Sequence, residues 1–263
     1  MAKPKVLILR APGTNCEQET GFAFELAGAE AHYAHINQLI ENPGQVKDHQ
    51  VLCLPGGFSY GDDIAAGRIL ASQMQSRLAD VLGEFHSDGK LILGICNGFQ
   101  ILIKSGLLLP DLPGDNGDAL PAATLTWNNS GMFEDRWVEL KVASPRCVFL
   151  NNIERMHLPI AHAEGRFVAA NAETLDRLDD SGQLVLRYDG PANASGDVPF
   201  PHNPNGAQRN VAGVCDESGR VFGLMPHPER FITHTQHPRW TREQLPEEGD
   251  GLAVFRNAVQ YFA

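Results

Sequence analysis

A cysteine stands between two glycines in the segment GICNG, residues 94–98. This is the spacing of the nucleophile elbow G-x-S-x-G, with sulfur in place of the serine oxygen. Small residues two positions before and after the nucleophile let the chain reverse sharply between a strand and a helix. The first N–H groups of that helix would favour a thiolate. Cys96 is therefore the predicted nucleophile; a buried structural cysteine at a tight turn is the alternative.

A histidine and a glutamate follow another apolar run and supply the acid–base chemistry that a thiol nucleophile needs. His227 and Glu229 lie in MPHPER, residues 225–230, directly after a predicted strand. Residues two apart in an extended segment share a face, so the carboxylate can orient the imidazole. Together with Cys96 they predict a Cys-His-Glu triad. Without Cys96, the same residues would be ordinary surface sequence.

Two backbone N–H groups would complete an oxyanion hole. The sequence PGG at residues 55–57 follows a short apolar strand, and its turn can direct the Gly57 N–H at a developing oxyanion. Asn97, the residue after the nucleophile, would supply the second donor. Each donor is worth roughly 3–4 kcal/mol. Complete ionisation of a free thiol gains only about 2 kcal/mol at neutral pH. We therefore expect the hole to matter at least as much as thiolate formation.

Strands alternate with helices over the first hundred residues. Either Asn15 or Thr14 is expected to cap the first helix, and residues 69–85 are expected to form one long helix. This alternation predicts an α/β fold with a doubly wound, mostly parallel sheet. In such sheets ligands bind outside the carboxyl ends of the strands, where Gly57 and Cys96 would lie. The predicted strands cover residues 6–9, 30–36, 50–54 and 91–95.

The second half of the chain differs from the first in composition and in the predicted arrangement of its strands. Residues 107–122 are rich in Pro, Gly and Asp and are expected to be loop. Strands at 124–127 and 137–142 are expected to be antiparallel around a loop, which gives the sheet an antiparallel extension. No internal repeat or linker is visible, so we expect a single domain over residues 1–263. Further strands are predicted at 166–169, 184–188, 211–214 and 221–225, the last two as a hairpin, with a closing helix at 251–262.

Composition excludes several classes of function. The net charge of −11 disfavours binding to nucleic acid or to an anionic membrane surface, both of which need clustered Lys and Arg. The five scattered cysteines contain no C-x-x-C pair, which indicates a reducing cytoplasm and no zinc site. His234 and His237 lack a neighbouring ligand pattern, so no metal is predicted. No secretory signal is visible, and no apolar run approaches the ~20 residues of a membrane span.

Three segments together resemble the signatures of the class I, or triad, glutamine amidotransferases, which have a flavodoxin-like fold. They are PGGFSYGD at 55–62, GICNGFQ at 94–100 and MPHPER at 225–230. Within that family, longer phrases are similar to the glutaminase subunits of phosphoribosylformylglycinamidine synthase, an enzyme of de novo purine (IMP) biosynthesis. The likeness spans nearly the whole chain in the expected order. The longer phrases are PGTNCE at 12–17, NSGMF at 129–133, PIAHAEGRF at 159–167 and NPNG at 203–206.

The resemblance implies a reaction and a role for each predicted site residue. Cys96 would attack the side-chain amide of L-glutamine, His227 would transfer protons and Glu229 would orient His227. Ammonia would leave, and water would hydrolyse the glutamyl thioester. Substrate binding is implied for Gln100, and the backbone from His162 to Phe167 resembles the segment that receives the α-amino and carboxylate groups of the substrate. No acid–base role is implied for His162.

The resemblance also implies partners. A synthetase subunit would receive the ammonia. The resemblance also allows a small bridging subunit as a further partner. Because this chain has no P-loop or other visible nucleotide site, we expect no cofactor here and ATP and Mg²⁺ on the synthetase. Glycine turns are soft, so docking of the synthetase is expected to orient the Gly57 N–H. The family often has GDYLRAG where this chain has GDDIAAG at 61–67, which leaves the docking details open.

Two other functions remain open at this point. One is another Cys-His hydrolase on a related α/β fold, which the triad acid and Gln100 disfavour. The other is a non-catalytic regulator that retains a relic of the elbow, which the presence of all three triad members disfavours.

Overall fold

A central sheet runs through the chain, and the computed structural model describes it over residues 3–113 and 119–263. The helices in these ranges are α1 Glu17–Leu26, α2 Ile36–Glu41, α3 Arg68–Arg77, α4 Ala79–Ser87, α5 Asn97–Lys104, α6 Ala172–Asp180 and α7 Leu252–Gln260. The strands are β1 Lys5–Arg10, β2 Glu30–His35, β3 Val51–Leu54, β4 Leu91–Ile95, β5 Leu112–Pro113, β6 Ala119–Leu120, β7 Ala123–Thr126, β8 Glu134–Val142, β9 Arg155–His162, β10 Arg166–Ala169, β11 Leu186–Tyr188, β12 Val211–Cys215 and β13 Val221–Leu224.

The sheet has nine strands in the order β2-β1-β3-β4-β13-β12-β11-β8-β9. The first five are parallel, and the remaining four continue the sheet in antiparallel fashion. Every residue of β3, β4 and β13 is buried, as expected for parallel strands covered on both faces. The predicted α/β fold, mostly parallel with an antiparallel extension, is confirmed. No helix in the described ranges has the length and apolar character needed to cross a membrane.

The predicted helix over residues 69–85 is two helices. The chain breaks at Leu78, whose φ of −127° is not helical. Leu78 is itself buried, as are apolar residues of both helices, so the break keeps both apolar faces against the core. The expected cap of α1 is also wrong, because Cys16 occupies the N-cap position. The Thr14 hydroxyl instead accepts from the Ala11 N–H.

The expected antiparallel arrangement of residues 124–127 with 137–142 is wrong. Strand β7 pairs with β10, whereas β8 pairs with β9 and β11. The prediction missed β9, which contains Pro159 and alternates buried with half-exposed residues. Proline is tolerated there because β9 is an edge strand of the sheet. The expected loop at 107–122 contains the short β5–β6 pair, and residues 114–118 of it lie outside the described residues.

The irregular segment 231–250 packs through aromatic rings. His237 lies 4.9 Å from Trp137 and 5.6 Å from Phe231, measured between ring centroids. His234 lies 6.1 Å from Trp240 in the same way. These contacts give both histidines a packing role.

Candidate active site

Cys96 lies at a sharp turn between β4 and α5. Its φ of 51° and ψ of −104° are unusual for a residue other than glycine, and such strain is concentrated at functional sites. The two flanking glycines are sterically required. A Cβ on Gly98 would lie 1.9 Å from the carbonyl oxygen of Leu54, and a Cβ on Gly94 would lie 2.7 Å from the backbone of Gly98. The strand, turn and helix predicted for the elbow are therefore present.

The elbow glycines give a test of stability. We expect Gly98→Ala to destabilise the fold by about 3 kcal/mol or more, because its Cβ collides with backbone that cannot move aside. Gly83→Ala in α4 is the matched control, since a Cβ there has no atom within 4 Å. Alanine is also the better helix former, so the control is expected to be neutral or slightly stabilising. Chemical denaturation of both variants is the measurement; equal stabilities would contradict the packing argument.

Gly57 lines the cavity that opens onto Cys96, and Asn97 follows Cys96 at the start of α5. Among the described residues, neither backbone N–H has a protein acceptor within hydrogen-bonding distance. The Gly57 turn packs against the loop before α1. The Phe58 N–H donates to the Gly13 carbonyl at 2.9 Å, and a Cβ on Gly57 would lie 2.8 Å from three atoms of the 13–15 backbone. The loop before α1 therefore contacts the turn closely, and the orientation of the Gly57 N–H by the synthetase stays a prediction.

His227 and Glu229 follow β13, the parallel neighbour of β4. The register places Leu224 beside Ile95, so both strands end at the same edge of the sheet. The segment is not extended as predicted. A 3₁₀ turn at Pro228–Arg230 brings the carboxylate back, and Glu229 Oε1 lies 2.6 Å from His227 Nδ1. Both side chains are buried, so this hydrogen bond is shielded from water.

Burial and the neighbouring groups act in opposite directions on the pKa of His227. Burial alone would lower the pKa of His227, but the carboxylate of Glu229 and the sulfurs of Cys96 and Cys16 raise it well above its ordinary value. His227 Nε2 is buried without a hydrogen-bond partner in the described part of the chain. With Nδ1 bonded to Glu229, only Nε2 is left to exchange a proton with Cys96.

A cavity of about 170 Å³ opens onto Cys96. Two of the residues predicted to bind substrate, Gln100 and His162, line it together with Gly57. Phe167 does not: it lies on β10 and its side chain is fully buried in the core. The remaining lining residues are Phe58, Asp62, Ala66, Trp127, Ala161, Ala163 and Glu164.

The elbow cysteine and the buried His-Glu pair lie at one edge of the sheet. Comparison with known families agrees with this arrangement. Residues 3–262 match the CobB/CobQ-like glutamine amidotransferase domain. The chain belongs to this amidotransferase family. Among curated relatives, the PurQ subunit of phosphoribosylformylglycinamidine synthase from Dehalococcoides mccartyi is 49% identical over 99% of this chain and 98% of its own. The PurQ subunit from Thermotoga maritima is 35% identical, and the match covers 98% of each chain.

Solved structures of the amidotransferase family share the fold. A chain of the PurLQS structure from Thermotoga maritima superposes with a TM-score of 0.74 at 33% identity, with both chains covered completely. The glutaminase domain of Trypanosoma brucei CTPS superposes with a TM-score of 0.57, covering 98% of this chain and 94% of that one. At 12% identity, the second match shows the shared fold alone.

Gln100 and His162 differ in how much hydrogen-bonding capacity they leave for a ligand. The Gln100 amide is occupied at both ends, donating to the Glu164 carbonyl at 2.6 Å and accepting from Asn97 Nδ2 at 2.9 Å. His162 Nδ1 lies 3.2 Å from Asn128 Oδ1, and its Nε2 has no partner in the described residues. Burial lowers the pKa of His162 to about 3, so the ring is neutral.

Cys16 is a neighbour of the His-Glu pair that sequence reasoning missed, although it lies in one of the quoted family phrases. Its sulfur and one donor atom each of His227 and Glu229 lie within 4.8 Å of one another. Sulfur, nitrogen and oxygen are donors that bind zinc. However, Arg230 Nη2 donates to the sulfur at 3.2 Å. The positive charge of this guanidinium disfavours the binding of a metal cation at the same sulfur. Arg230 is held in turn by Glu19 of α1, at 3.0 Å.

Proposed function

We propose that this chain is the glutaminase subunit of a phosphoribosylformylglycinamidine synthase. It hydrolyses L-glutamine to glutamate and supplies the ammonia to a synthetase subunit in de novo purine biosynthesis. The observation that carries the proposal is the strained elbow at Cys96, which shares a sheet edge with the buried His227–Glu229 pair. The full-length similarity to PurQ subunits supports the choice of this enzyme within the family.

The proposed mechanism follows from the geometry. The thiolate of Cys96 attacks the amide carbon of glutamine, and the N–H groups of Gly57 and Asn97 stabilise the oxyanion. His227 Nε2 gives its proton to the leaving nitrogen, and ammonia departs as the C–N bond breaks. His227 then takes a proton from water, which attacks the thioester. Glutamate leaves, and the thiolate of Cys96 and the imidazolium of His227 are regenerated. Glu229 stabilises the imidazolium throughout and fixes its orientation.

The proposal extends to partners and location. The Thermotoga structure named PurLQS supports a synthetase partner, and it is consistent with a small bridging subunit as a further partner. The sequence contains no P-loop, so we place ATP and Mg²⁺ on the synthetase and no cofactor on this chain. We place the protein in the cytoplasm, because its five cysteines are all free. We treat residues 1–263 as one domain, since β1 and α7 belong to one continuous hydrophobic core.

A trapping experiment tests the proposal. The chain and its synthetase are mixed with radiolabelled glutamine and quenched in acid, and the labelled peptide is identified by mass spectrometry. The expected result is a glutamyl thioester on Cys96, together with glutamine-dependent synthesis by the complex. A complex that uses ammonium but neither traps nor hydrolyses glutamine would contradict the proposal and favour a non-catalytic relic.

His162 gives a second test within the same site. Its Nε2 is a buried acceptor that faces no protein donor in the described residues, so it is available to the substrate. We expect His162→Gln to raise the KM for glutamine about tenfold, the worth of one hydrogen bond, with little change in kcat. Because the pKa of His162 is about 3, the pH–rate profile from pH 5 to 9 is expected to be unchanged. A shifted profile would show that His162 exchanges protons during catalysis.

A further inference from the structure

Asn128 is a buried asparagine that makes hydrogen bonds at both ends of its side-chain amide. It lies two residues after β7. Its Nδ2 donates to the carbonyl oxygens of Met132 and His162, each at 2.9 Å. Its Oδ1 accepts from the backbone N–H of Gly165 at 3.1 Å. Because an amide NH₂ group only donates and an amide oxygen only accepts, these three backbone partners fix the orientation of the amide.

The fixed amide determines which ring nitrogen of His162 carries the proton. His162 Nδ1 lies 3.2 Å from Asn128 Oδ1, which can only accept a hydrogen bond. Burial lowers the pKa of His162 to about 3, so the ring is neutral and has a single N–H. That N–H is therefore on Nδ1, and Nε2 keeps its lone pair. Among the described residues Nε2 has no hydrogen-bond partner, and His162 lines the cavity beside Cys96.

Contacts with the backbone hold the imidazole of His162 in place. The Asn128 N–H donates to the carbonyl of Ala163 at 2.8 Å, so the backbone and the side chain of Asn128 both bind the segment 162–165. A Cβ on Gly165 would lie 2.2 Å from His162 Cε1, which means that the glycine leaves room for the ring. Residues 162–164 line the cavity, whereas Asn128 does not. Asn128 therefore supports the wall of the cavity from behind.

We propose that Asn128 is a positioning residue that acts on the substrate through His162. It holds the imidazole as the Nδ1–H tautomer, so that an unprotonated Nε2 is available to a hydrogen-bond donor in the cavity. The other tautomer would place an N–H at that position, and the ring could not accept a hydrogen bond there. This inference rests on the proposed function, because it concerns the binding of glutamine in the same site.

The tautomer of His162 can be measured directly on the wild-type chain. The protein is labelled with ¹⁵N-histidine, and NMR distinguishes the two ring nitrogens by their chemical shifts and by their couplings to the ring protons. The His162 signals are identified by their absence from the spectrum of His162→Gln. We expect Nδ1 to carry the proton at neutral pH. A His162 ring protonated on Nε2 would overturn the inference, and this measurement does not require an Asn128 variant to fold.

Asn128→Ala removes the acceptor that holds the Nδ1 proton. In the complex with the synthetase, we expect the KM for glutamine to rise about tenfold, as for His162→Gln, with kcat changed by no more than about threefold. Asn171→Ala is the matched control, because its side chain caps α6 by accepting from the Thr174 N–H and lies outside the cavity. That control is expected to lower the Tm without changing the KM. An unchanged KM in a folded Asn128→Ala complex would overturn the inference.

A double variant separates positioning from a general structural effect. If Asn128 acts through His162, its removal adds little once His162 has been replaced. We expect the KM of the variant that combines Asn128→Ala with His162→Gln to lie within about threefold of that of either single variant. Effects that multiply to about a hundredfold would overturn the inference and leave the proposed function standing. A wild-type complex without glutaminase activity would instead contradict the proposed function and, with it, the binding role of His162.

Discussion

Replacing Cys96 with serine in the assembled complex is expected to lower glutamine-dependent synthesis by roughly 10⁴–10⁶-fold, while synthesis from added ammonium is unchanged. The reason is that Cys96 serves only the half-reaction that generates ammonia. Serine preserves the size of the side chain at the strained turn, so the fold and the docking surface are retained. Its hydroxyl, however, is far more weakly ionised than a thiol next to His227.

Paired assays make this result specific. Both nitrogen sources are tested on the same purified complex, with assembly checked by gel filtration. Cys53→Ala in β3 is the control for loss of a buried thiol; Cys53 lies in the core, and this variant is expected to keep both activities. A Cys96→Ser complex that is assembled yet inactive with both nitrogen sources would show that the two half-reactions are not divided between the subunits as proposed.

The elbow was predictable because its determinants are local. An apolar run, two glycines and a cysteine specify a strand, a turn and a helix within ten residues, and the steric need for Gly98 follows from close packing against β3. The parallel sheet was predictable for a similar reason, since each strand is a short, continuous apolar run. Both features depend on residue types at fixed spacing along the chain.

Contacts distant in sequence could not be predicted in the same way. The partner of β7 depends on β9 and β10, and the proline in β9 conceals that strand from pattern analysis. The Gly57 turn packs against the loop at residues 13–15, a contact that its own glycines do not indicate. Cys16 meets Arg230 across more than two hundred residues of sequence. No periodicity encodes such a contact, although it adjoins the His-Glu pair.

The roles of His227 and Glu229 are expected to differ in size. We expect His227→Ala to reduce glutaminase activity nearly as much as Cys96→Ser, because Nε2 exchanges protons in both halves of the reaction. Glu229→Gln is expected to be roughly 10- to 100-fold less damaging, since the carboxylate acts only through the imidazole. Glu19→Gln is the matched control: its carboxylate pairs with Arg230 at a half-exposed position and is expected to have little effect.

The pH dependence distinguishes orientation from proton transfer. The carboxylate of Glu229 is the largest influence that raises the pKa of His227, so Glu229→Gln lowers that pKa. The imidazolium is the form that protonates the leaving nitrogen, and it is lost as the pH rises through its pKa. The alkaline limb of the kcat/KM profile is therefore expected to move to lower pH in Glu229→Gln. An unmoved alkaline limb, or a Glu229 variant more impaired than His227→Ala, would reverse the assigned roles.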